Sequence, residues 1–221
     1  MNKAKLLIPA AVVAVVMTFG LTIASAQTDK GKEALDALTN RLNQATTAQE
    51  AEPIRQEANK LIAQKYERAP EARAAAVEKV KAFAGEKAEV NYLTAAPSTY
   101  REAVVAEFYQ VGREVYEVDA RTNTIIQVGV GATKQGEKPV EYDLTPRYSP
   151  EELEVIAKDF IAKQGVSIEG LTPDHGSKAD TAYFFRFEDN SKKTDDGRDA
   201  FVQVGFTVGG SRLSYTNTLG L

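Results

Sequence analysis

The stretch that decides the fold is "EVYEVDARTNTIIQVGV", residues 114–130. Two short runs of β-branched and aromatic residues lie on either side of a polar break at residues 119–123. Such runs, around a break with Asn at a position open to positive φ, are typical of a β-hairpin. We therefore predict a hairpin here, with Ile126, Val128 and Val130 facing one side of a sheet, where they pack on a helix.

The residues before the hairpin predict that helix. In "APEARAAAVEKVKAFAG", residues 69–85, Pro70 stands where a helix can begin and Gly85 where a left-handed residue can end it. The apolar residues between them share one helical face: Ala76, Val77, Val80, Phe83 and Ala84. Two strand candidates, "VNYLT" and "AVVAEFYQ", connect this helix to the hairpin.

The same plan recurs after the hairpin. In "YSPEELEVIAKDFIAKQG", residues 148–165, Ser149 and Glu152 form an S-x-x-E capping box around Pro150, and Gly165 supplies the C-terminal cap. The apolar face holds Leu153, Ile156, Ala157, Phe160 and Ile161. The strand candidates that follow are "IEGLT", "AYFFRFED", "AFVQVGFTV" and "RLSYTNTL", the last two around a "GGS" turn. One helix followed by three antiparallel strands, used twice, predicts an α+β fold with each helix laid on a sheet.

Alternation in "AYFFRFED" puts Phe184 and Arg186 on one face of the strand and three aromatic residues on the other: Tyr183, Phe185 and Phe187. Tyr215, in the last strand, is expected on the same face as these three. This aromatic set has two interpretations. It is core if the helix that carries Phe160 covers its face, and a partner-binding platform if that face is open.

The first 26 residues differ from the rest of the chain. Lys3 and Lys5 precede an uncharged apolar run, and "ASA" stands before Gln27. This pattern is typical of an export signal cleaved after Ala26. The apolar run also approaches the ~20 residues that span a bilayer, so an anchor in contact with the membrane through residues 6–24 is the alternative. Both interpretations place residues 27–221 outside the cytoplasm.

Residues 27–68 predict a helical spacer in two pieces. Leu35, Leu38 and Leu42 follow helical spacing in the first piece. In the second piece Pro53 suits the first turn better than the interior of a helix. The pair either packs on the following domain or separates it from the membrane. A short coiled coil that binds a partner is the alternative.

Composition excludes several classes of function. The chain has 221 residues, no Cys, one His and a net charge of −4 at pH 7. The lack of Cys excludes disulfides, thiolate nucleophiles and Cys-ligated zinc. The acidic balance, without a basic cluster, argues against nucleic acid as a partner. No Walker-type loop, G-x-G-x-x-G or H-E-x-x-H motif occurs, and we predict no cofactor and no metal.

No group of residues has the pattern of a catalytic site. His175 is the only base that a Ser-His-Asp device could use; no G-x-S-x-G elbow accompanies it, so we expect an exposed loop histidine. The segment "EDNSKKTDDGRD", residues 188–199, fails the calcium-loop spacing and is expected to be a solvated hairpin loop. Because that loop and the "GGSR" turn should project, we predict partner contacts at Asp195, Asp196 and Arg212. A carboxylate-based hydrolase is the remaining enzymatic alternative.

The segment "VDARTN", residues 118–123, resembles the VDxxTG-type turn of the PepSY domain, with Asn123 where that family has Gly. Asn tolerates the same left-handed backbone. The second unit resembles the variant PepSY-like repeats of YcdB/YpeB-type bacterial envelope proteins, with Gly209 and Gly210 replacing that turn. The resemblance covers about residues 70–221. Its implied fold is also similar to that of the tandem-repeat β-lactamase inhibitor protein, in which a concave sheet grips a partner.

This resemblance implies a secreted or membrane-anchored bacterial protein without a catalytic centre, which binds or restrains a peptidase or senses the envelope. We therefore predict a signal or anchor (1–26), a helical spacer (27–68) and two PepSY-like units (69–145 and 146–221). The expected function is non-enzymatic binding of an envelope protein or peptide. The predicted contact residues are Tyr183, Phe185, Phe187, Tyr215, Arg212, Asp195 and Asp196. A carrier of a lipid or peptide, with a pocket between helix and sheet, is the alternative.

Overall fold

A computed structural model describes residues 29–132, 138–178 and 181–221. The predicted signal or anchor, residues 1–26, lies outside these ranges. Within them, none of the helices combines the length and the apolar character needed to span a bilayer.

The described residues form four α-helices and nine strands. The helices are α1 (Asp29–Gln44), α2 (Ala48–Tyr66), α3 (Ala74–Ala84) and α4 (Pro150–Lys163), and a 3-10 turn, Pro70–Arg73, precedes α3. The first four strands are β1 (Asn91–Pro97), β2 (Val105–Val111), β3 (Glu114–Asp119) and β4 (Ile125–Val130). The other five are β5 (Thr172–Pro173), β6 (Gly176–Lys178), β7 (Ala182–Lys193), β8 (Asp199–Thr207) and β9 (Arg212–Asn217).

Helices α1 and α2 pack on each other through Leu38, Ile54 and Ala58, and α2 also contacts strand β1. Pro53 lies inside α2 rather than in its first turn. The helix begins earlier than predicted because Glu50 and the threonines before it cap its start. The backbone N–H of Glu50 donates to Thr47 Oγ1 at 3.2 Å, and Glu50 Oε2 accepts from the Thr46 N–H at 2.9 Å.

The capping box of α4 is confirmed and a glycine with positive φ follows each helix, but Gly85 has a ψ of 139° and not the left-handed conformation predicted for it. Gly85 ends α3 with a φ of 123°, and Gly165 follows α4 with a φ of 76°. At the start of α4, the Ser149 side chain accepts from the Glu152 N–H while the Glu152 carboxylate accepts from the Ser149 N–H. The capping box thus sets where α4 begins, whereas α3 has no side-chain cap at its start and continues from the 3-10 turn Pro70–Arg73.

All strands belong to one antiparallel sheet with the order β1-β2-β3-β4-β9-β8-β7-β5. Strand β6 also pairs with β7, along residues 182–184. The first half, α3 with β1–β4, enters at one edge and runs inward. The second half, α4 with β5–β9, enters at the other edge and also runs inward. The halves join where β4 pairs with β9, through Gln127 with Thr216 and Val128 with Tyr215. This arrangement confirms the predicted α+β class, but the two helices are followed by four and five strands, not by the three predicted for each.

Both α3 and α4 lie on the same face of the sheet, which we call the covered face. Ala76 and Val80 of α3 share one buried core with Leu153, Ala157 and Ile161 of α4. The Phe83 and Phe160 rings meet edge to face at 5.4 Å, and each also contacts the Tyr215 ring, at 5.3 and 5.8 Å. Rings from two helices and a strand therefore fill the middle of the core.

The hairpin of residues 114–130 is confirmed, with one change in which side chains share a face. Val118 pairs with Ile125 but Glu117 pairs with Gln127, so a bulge occurs at Ile126. Ile125 and Val128 therefore face the helices, and Ile126 packs on the other side of the sheet. The prediction that Ile126 shares the side of Val128 was wrong, because a bulge shifts the alternation by one residue.

Asn123 has a φ of 55°, the only positive φ of a non-glycine residue in the described ranges. Its N–H donates to the Asp119 carbonyl at 2.8 Å, and the Asp119 N–H donates to the Thr124 carbonyl at 2.9 Å. This geometry confirms that Asn takes the left-handed position of the turn in place of Gly.

Candidate functional site

The face opposite the helices, which we call the open face, carries no packed helix over strands β4, β9, β8 and β7 in the described part of the chain. Cross-strand pairing identifies its side chains: Phe184, Arg186 and Glu188 on β7, Phe201 and Gln203 on β8, Ser214 and Thr216 on β9, and Gln127 on β4. Most of them are half-buried and polar. A sheet with one packed and one solvated face is usual for antiparallel strands, so its side-chain chemistry decides what it can bind.

The Arg186 side chain is held on the open face by contacts with three neighbouring side chains. Its Nε donates to Gln203 Oε1 at 2.8 Å, and its Nη1 lies 3.4 Å from Glu188 Oε1. The guanidinium also stacks over the Phe201 ring, 4.2 Å from the centroid. These contacts fix the position of the guanidinium, and its remaining N–H groups can donate to an acceptor on a partner.

The Phe184 ring lies over Gly205 on the neighbouring strand. A Cβ at position 205 would come within 2.7 Å of that ring, so only glycine allows this approach. Phe184 and Arg186 thus form an aromatic and cationic pair of side chains on rigid strands. Such side chains are enriched in the energetically dominant part of protein interfaces.

The loop between β1 and β2, residues 98–104, crosses the open face, and we call it the strap. The Tyr100 ring contacts Phe201 at 6.2 Å and packs against Ala106, Phe108 and Ile126. Burial raises the pKa of the Tyr100 hydroxyl, which is hydrogen-bonded with Thr216. The strap therefore covers the apolar part of the open face and leaves Arg186, Gln203 and Phe184 uncovered.

The strap ends against the turn between β7 and β8. The Glu102 N–H donates to Asp195 Oδ2 at 2.7 Å, and the Asp195 N–H donates to the Tyr100 carbonyl at 3.2 Å. Arg101 Nη2 donates to the Lys193 carbonyl at 2.7 Å. Residues 188–199 are thus not a free solvated loop, because β7 extends to Lys193 and the strap binds its tip.

The predicted contact residues fall into three places. Phe185, Phe187 and Tyr215 are 3%, 4% and 1% exposed on the covered face, and Tyr183 packs beside them. The structure therefore places these aromatic side chains in the core. This is the interpretation expected when a helix covers their face of the sheet. Asp195 and Asp196 lie at the β7–β8 tip, with half-exposed side chains.

Arg212 does not project toward solvent. It forms an ion pair with Glu114 at 2.6 Å, and its guanidinium lies 4.7 Å from the Phe83 ring centroid. The turn before it is also covered, because Asp143 lies against Gly209 and the Tyr148 ring lies against Gly210. The expectation that the "GGSR" turn projects toward a partner was wrong: the connection before α4 packs on it.

His175 lies in the short connection between β5 and β6 and is exposed, which confirms the predicted exposed loop histidine. Its Nδ1 accepts from the Arg186 backbone N–H at 3.3 Å, and its Nε2 lies 3.5 Å from Glu154 Oε1. The ring also contacts Phe185 and Phe187 at 5.4 and 5.1 Å. The ring of this exposed loop residue is therefore held against strand β7.

A shallow cavity of about 220 Å³ lies beside His175, at the edge of the open face. Its lining includes Asp174, His175 and Gly176 from the edge, with Phe184, Arg186 and Gln203 from the sheet. The cavity extends the open face toward the edge, and it does not lie between helix and sheet.

Two buried tyrosines on the covered face donate to carboxylates. The Tyr109 hydroxyl donates to Glu107 at 2.6 Å, and Glu107 also accepts two hydrogen bonds from Arg68. The Tyr116 hydroxyl donates to Glu114 at 2.6 Å. Burial, together with these bonds, raises the pKa of both hydroxyls. A tyrosine whose pKa is raised in this way stays protonated and acts as a structural hydrogen-bond donor. Over the ranges that the structure covers, no three His, Asp or Glu side chains form a group able to hold a metal ion.

Sequence reasoning missed the strap and the open-face position of Arg186. The alternation in β7 did place Phe184 and Arg186 together, opposite the aromatic row. The signal for the site was therefore present in the sequence, although the aromatic residues predicted as contacts lie on the opposite face of the strand.

No family model and no curated protein matches this chain. Among solved structures, the chain is similar to the Bacillus megaterium YpeB C-terminal domain, with 12% sequence identity and a TM-score of 0.43. The match covers 65% of this chain and 61% of that chain, so the chain spans about three fifths of that structure's length.

Proposed function

We propose that this chain is an exported binding protein of the bacterial cell envelope, without a catalytic role, and that it binds a protein or peptide through the open face. The observation that carries this proposal is the contrast between the two faces. The core fills the covered face, whereas the open face presents half-buried Phe184, Arg186 and Gln203 to the outside. Side chains held on strands are well ordered for recognition, because little conformational entropy is lost on binding.

The proposal includes two PepSY-like units, 69–145 and 146–221. Its support is the strand order, in which each half begins with a helix at its own edge and ends with the strand at the junction. The PepSY resemblance lies in residues 118–123 and agrees with the left-handed Asn123. Export is proposed from the apolar first 26 residues. Restraint of a peptidase is the specific form of binding that the resemblance implies.

The partner is expected to offer acceptor groups to the open face. Arg186 can donate to a carboxylate or to backbone carbonyls, while the amides of Gln203 and Gln127 both donate and accept. The Phe184 ring adds apolar area beside them. A partner segment with backbone carbonyls and an acidic side chain fits this chemistry.

A carrier with a pocket between helix and sheet is less well supported. The Phe83 ring contacts Tyr116, Phe160 and Tyr215 at centroid distances of 5.7, 5.4 and 5.3 Å, so side chains occupy that space. The cavity beside His175 opens on the open face instead. A ligand there would share the site of the proposed partner.

Affinity capture with the full chain tests the proposal. Arg186→Ala removes the cation of the open face, and Arg147→Ala is the matched control, since Arg147 is 61% exposed and lies outside that face. We expect Arg186→Ala to reduce recovery of a captured envelope protein at least about fivefold, as for an interface arginine. Arg147→Ala should leave recovery unchanged. Equal recovery with both variants, at unchanged thermal stability, would contradict the proposal.

A further inference from the structure

One carboxylate fastens the strap to the sheet. Glu117, on β3, is 3% exposed and faces the underside of the strap. Its Oε1 accepts from Ser98 Oγ at 2.8 Å and from the Thr99 N–H at 3.1 Å. Its Oε2 accepts from Thr99 Oγ1 at 2.8 Å. All three bonds go to the first two residues of the strap.

Neutral groups surround this carboxylate. Phe108 on β2 and Gln127 on β4 lie directly opposite Glu117 across the strands. Asp119, the next acid on the same face of β3, is paired with Arg121. In the described ranges no Lys, Arg or His forms an ion pair with Glu117.

The two cations that interact with Tyr100 of the strap have their own partners. Arg186 is paired with Glu188 and Arg198 with Asp196. The strap itself has three ionisable side chains: Tyr100, which interacts with Glu117, and Arg101 and Glu102, which lie at the end that contacts Asp195. Glu117 therefore has hydrogen-bond donors but no compensating charge. Burial accordingly raises the pKa of Glu117 above its ordinary value, although the three hydrogen bonds oppose this shift.

The far end of the strap is held at the surface, by the hydrogen bonds to Asp195 and Lys193 and by one exposed ion pair. Asp195 and Arg101 are 53% and 35% exposed, and their charged groups are 3.7 Å apart. Exposed pairs of this kind contribute little because water and salt screen them. The attachment at Glu117 is the buried one and is therefore the better place to control the strap.

We propose that the strap, residues 98–104, opens and closes on the open face, and that proton binding at Glu117 favours the closed state. Opening would uncover Phe108, Ile126 and Phe201, which are 2%, 0% and 2% exposed when the strap is closed. These apolar side chains adjoin Arg186 and would enlarge the open face. The motion belongs to the chain alone, so its test requires no partner.

The direction of the pH effect follows from linkage. In the closed state Glu117 has a raised pKa, whereas in the open state water solvates it and its pKa returns to the ordinary value. The closed state therefore binds the proton more tightly, and acid favours closure. As the pH rises through the raised pKa, the open fraction increases by up to about tenfold for each unit by which the two pKa values differ.

Hydrogen exchange of the full chain, from about pH 5 to about pH 8, measures this opening once intrinsic exchange rates are removed. We expect the amides of Thr99, Tyr100 and Val104 to become more protected as the pH falls. The amides of strand β8, in the middle of the sheet, should show no such trend. Equal protection of the strap at all pH values would overturn the proposal.

Two variants separate Glu117 from other acids. Glu117→Gln should remove the pH trend of the strap, whereas Glu188→Gln, on the same face, should keep it. Persistence of the trend in Glu117→Gln would also overturn the proposal. If Glu117→Gln does not fold, Ser98→Ala serves instead. This variant removes one hydrogen-bond donor to the carboxylate, so the pH trend of the strap should move to higher pH. A trend at unchanged pH would overturn the proposal.

Discussion

Arg212 on strand β9 and Glu114 on strand β3 form an ion pair of 2.6 Å that joins the two halves of the sheet. The Tyr116 hydroxyl donates to the same carboxylate at 2.6 Å. The Arg212 guanidinium lies over the rings of Phe83 and Phe160, at 4.7 and 5.8 Å from their centroids. One arginine thus contacts both helices and both halves of the sheet.

Arg212→Ala should lower the free energy of unfolding by about 2 kcal/mol, below the usual cost of breaking a fully buried pair because both side chains are partly exposed. Urea unfolding at neutral pH measures this loss. Arg147→Ala, in the exposed pair with Asp143, should cost no more than about 0.5 kcal/mol. Equal losses in the two variants would show that Arg212 does not join the halves.

Asn123→Val should destabilise the hairpin, because Asn123 has a φ of 55° and a β-branched residue is strained there. The expected loss is about 1–2 kcal/mol in urea unfolding. Asn123→Gly relieves the backbone but loses the bond from Arg68 Nη2 to the Asn123 side chain, at 3.2 Å. Its effect should stay within about 0.5 kcal/mol, the size of a weak, partly exposed bond. A valine variant as stable as the wild type would contradict the left-handed backbone conformation at Asn123.

Gly209→Ala should destabilise the β8–β9 turn. The new Cβ would collide with the backbone carbonyl of Asp143, and a backbone atom cannot move aside cheaply. We expect a loss of about 1–3 kcal/mol in thermal or chemical unfolding, as for other overpacked sites. Gly220→Ala is the control, since a Cβ there meets no atom within 4 Å. Indistinguishable stabilities would mean that the 138–149 connection does not pack on the turn.

Asp196→Asn should lower stability at neutral pH and lose this effect in acid. The hydrogen bond from Arg198, with that from Thr194, lowers the pKa of Asp196 to about 2. A lowered pKa contributes stability above the ordinary value of 3.8, and this contribution is lost as the pH falls toward about 2. Because the side chain is 50% exposed, the difference at neutral pH should be about 0.5 kcal/mol or less. Unfolding curves at several pH values measure it; a difference that grows in acid would contradict this sign.

Local patterns predicted most of the elements. The runs around residues 119–123 predicted the hairpin, and the capping box at Ser149 predicted the start of α4. These signals depend on residues that are close together in the sequence, so the sequence alone is enough to recognise them. The bulge at Ile126 has no such signal, since it arises from how β3 and β4 pair.

The candidate site was harder to predict because it depends on long-range packing. Alternation divides β7 into two faces, but it does not say which one the helices cover. Phe184 and Arg186 looked less like a site than the aromatic row opposite them. Glu117 was one of 31 acidic residues, and only the strap distinguishes it.

Photo-cross-linking in bacterial cells that make the full chain tests the central claim most directly. One cross-linker replaces Gln203 on the open face, and a control replaces Val155, which is 60% exposed on helix α4. We predict a discrete adduct with an envelope protein from position 203, lost on Arg186→Ala, and none from position 155. Adducts from position 155 alone, or from neither position, would contradict binding through the open face.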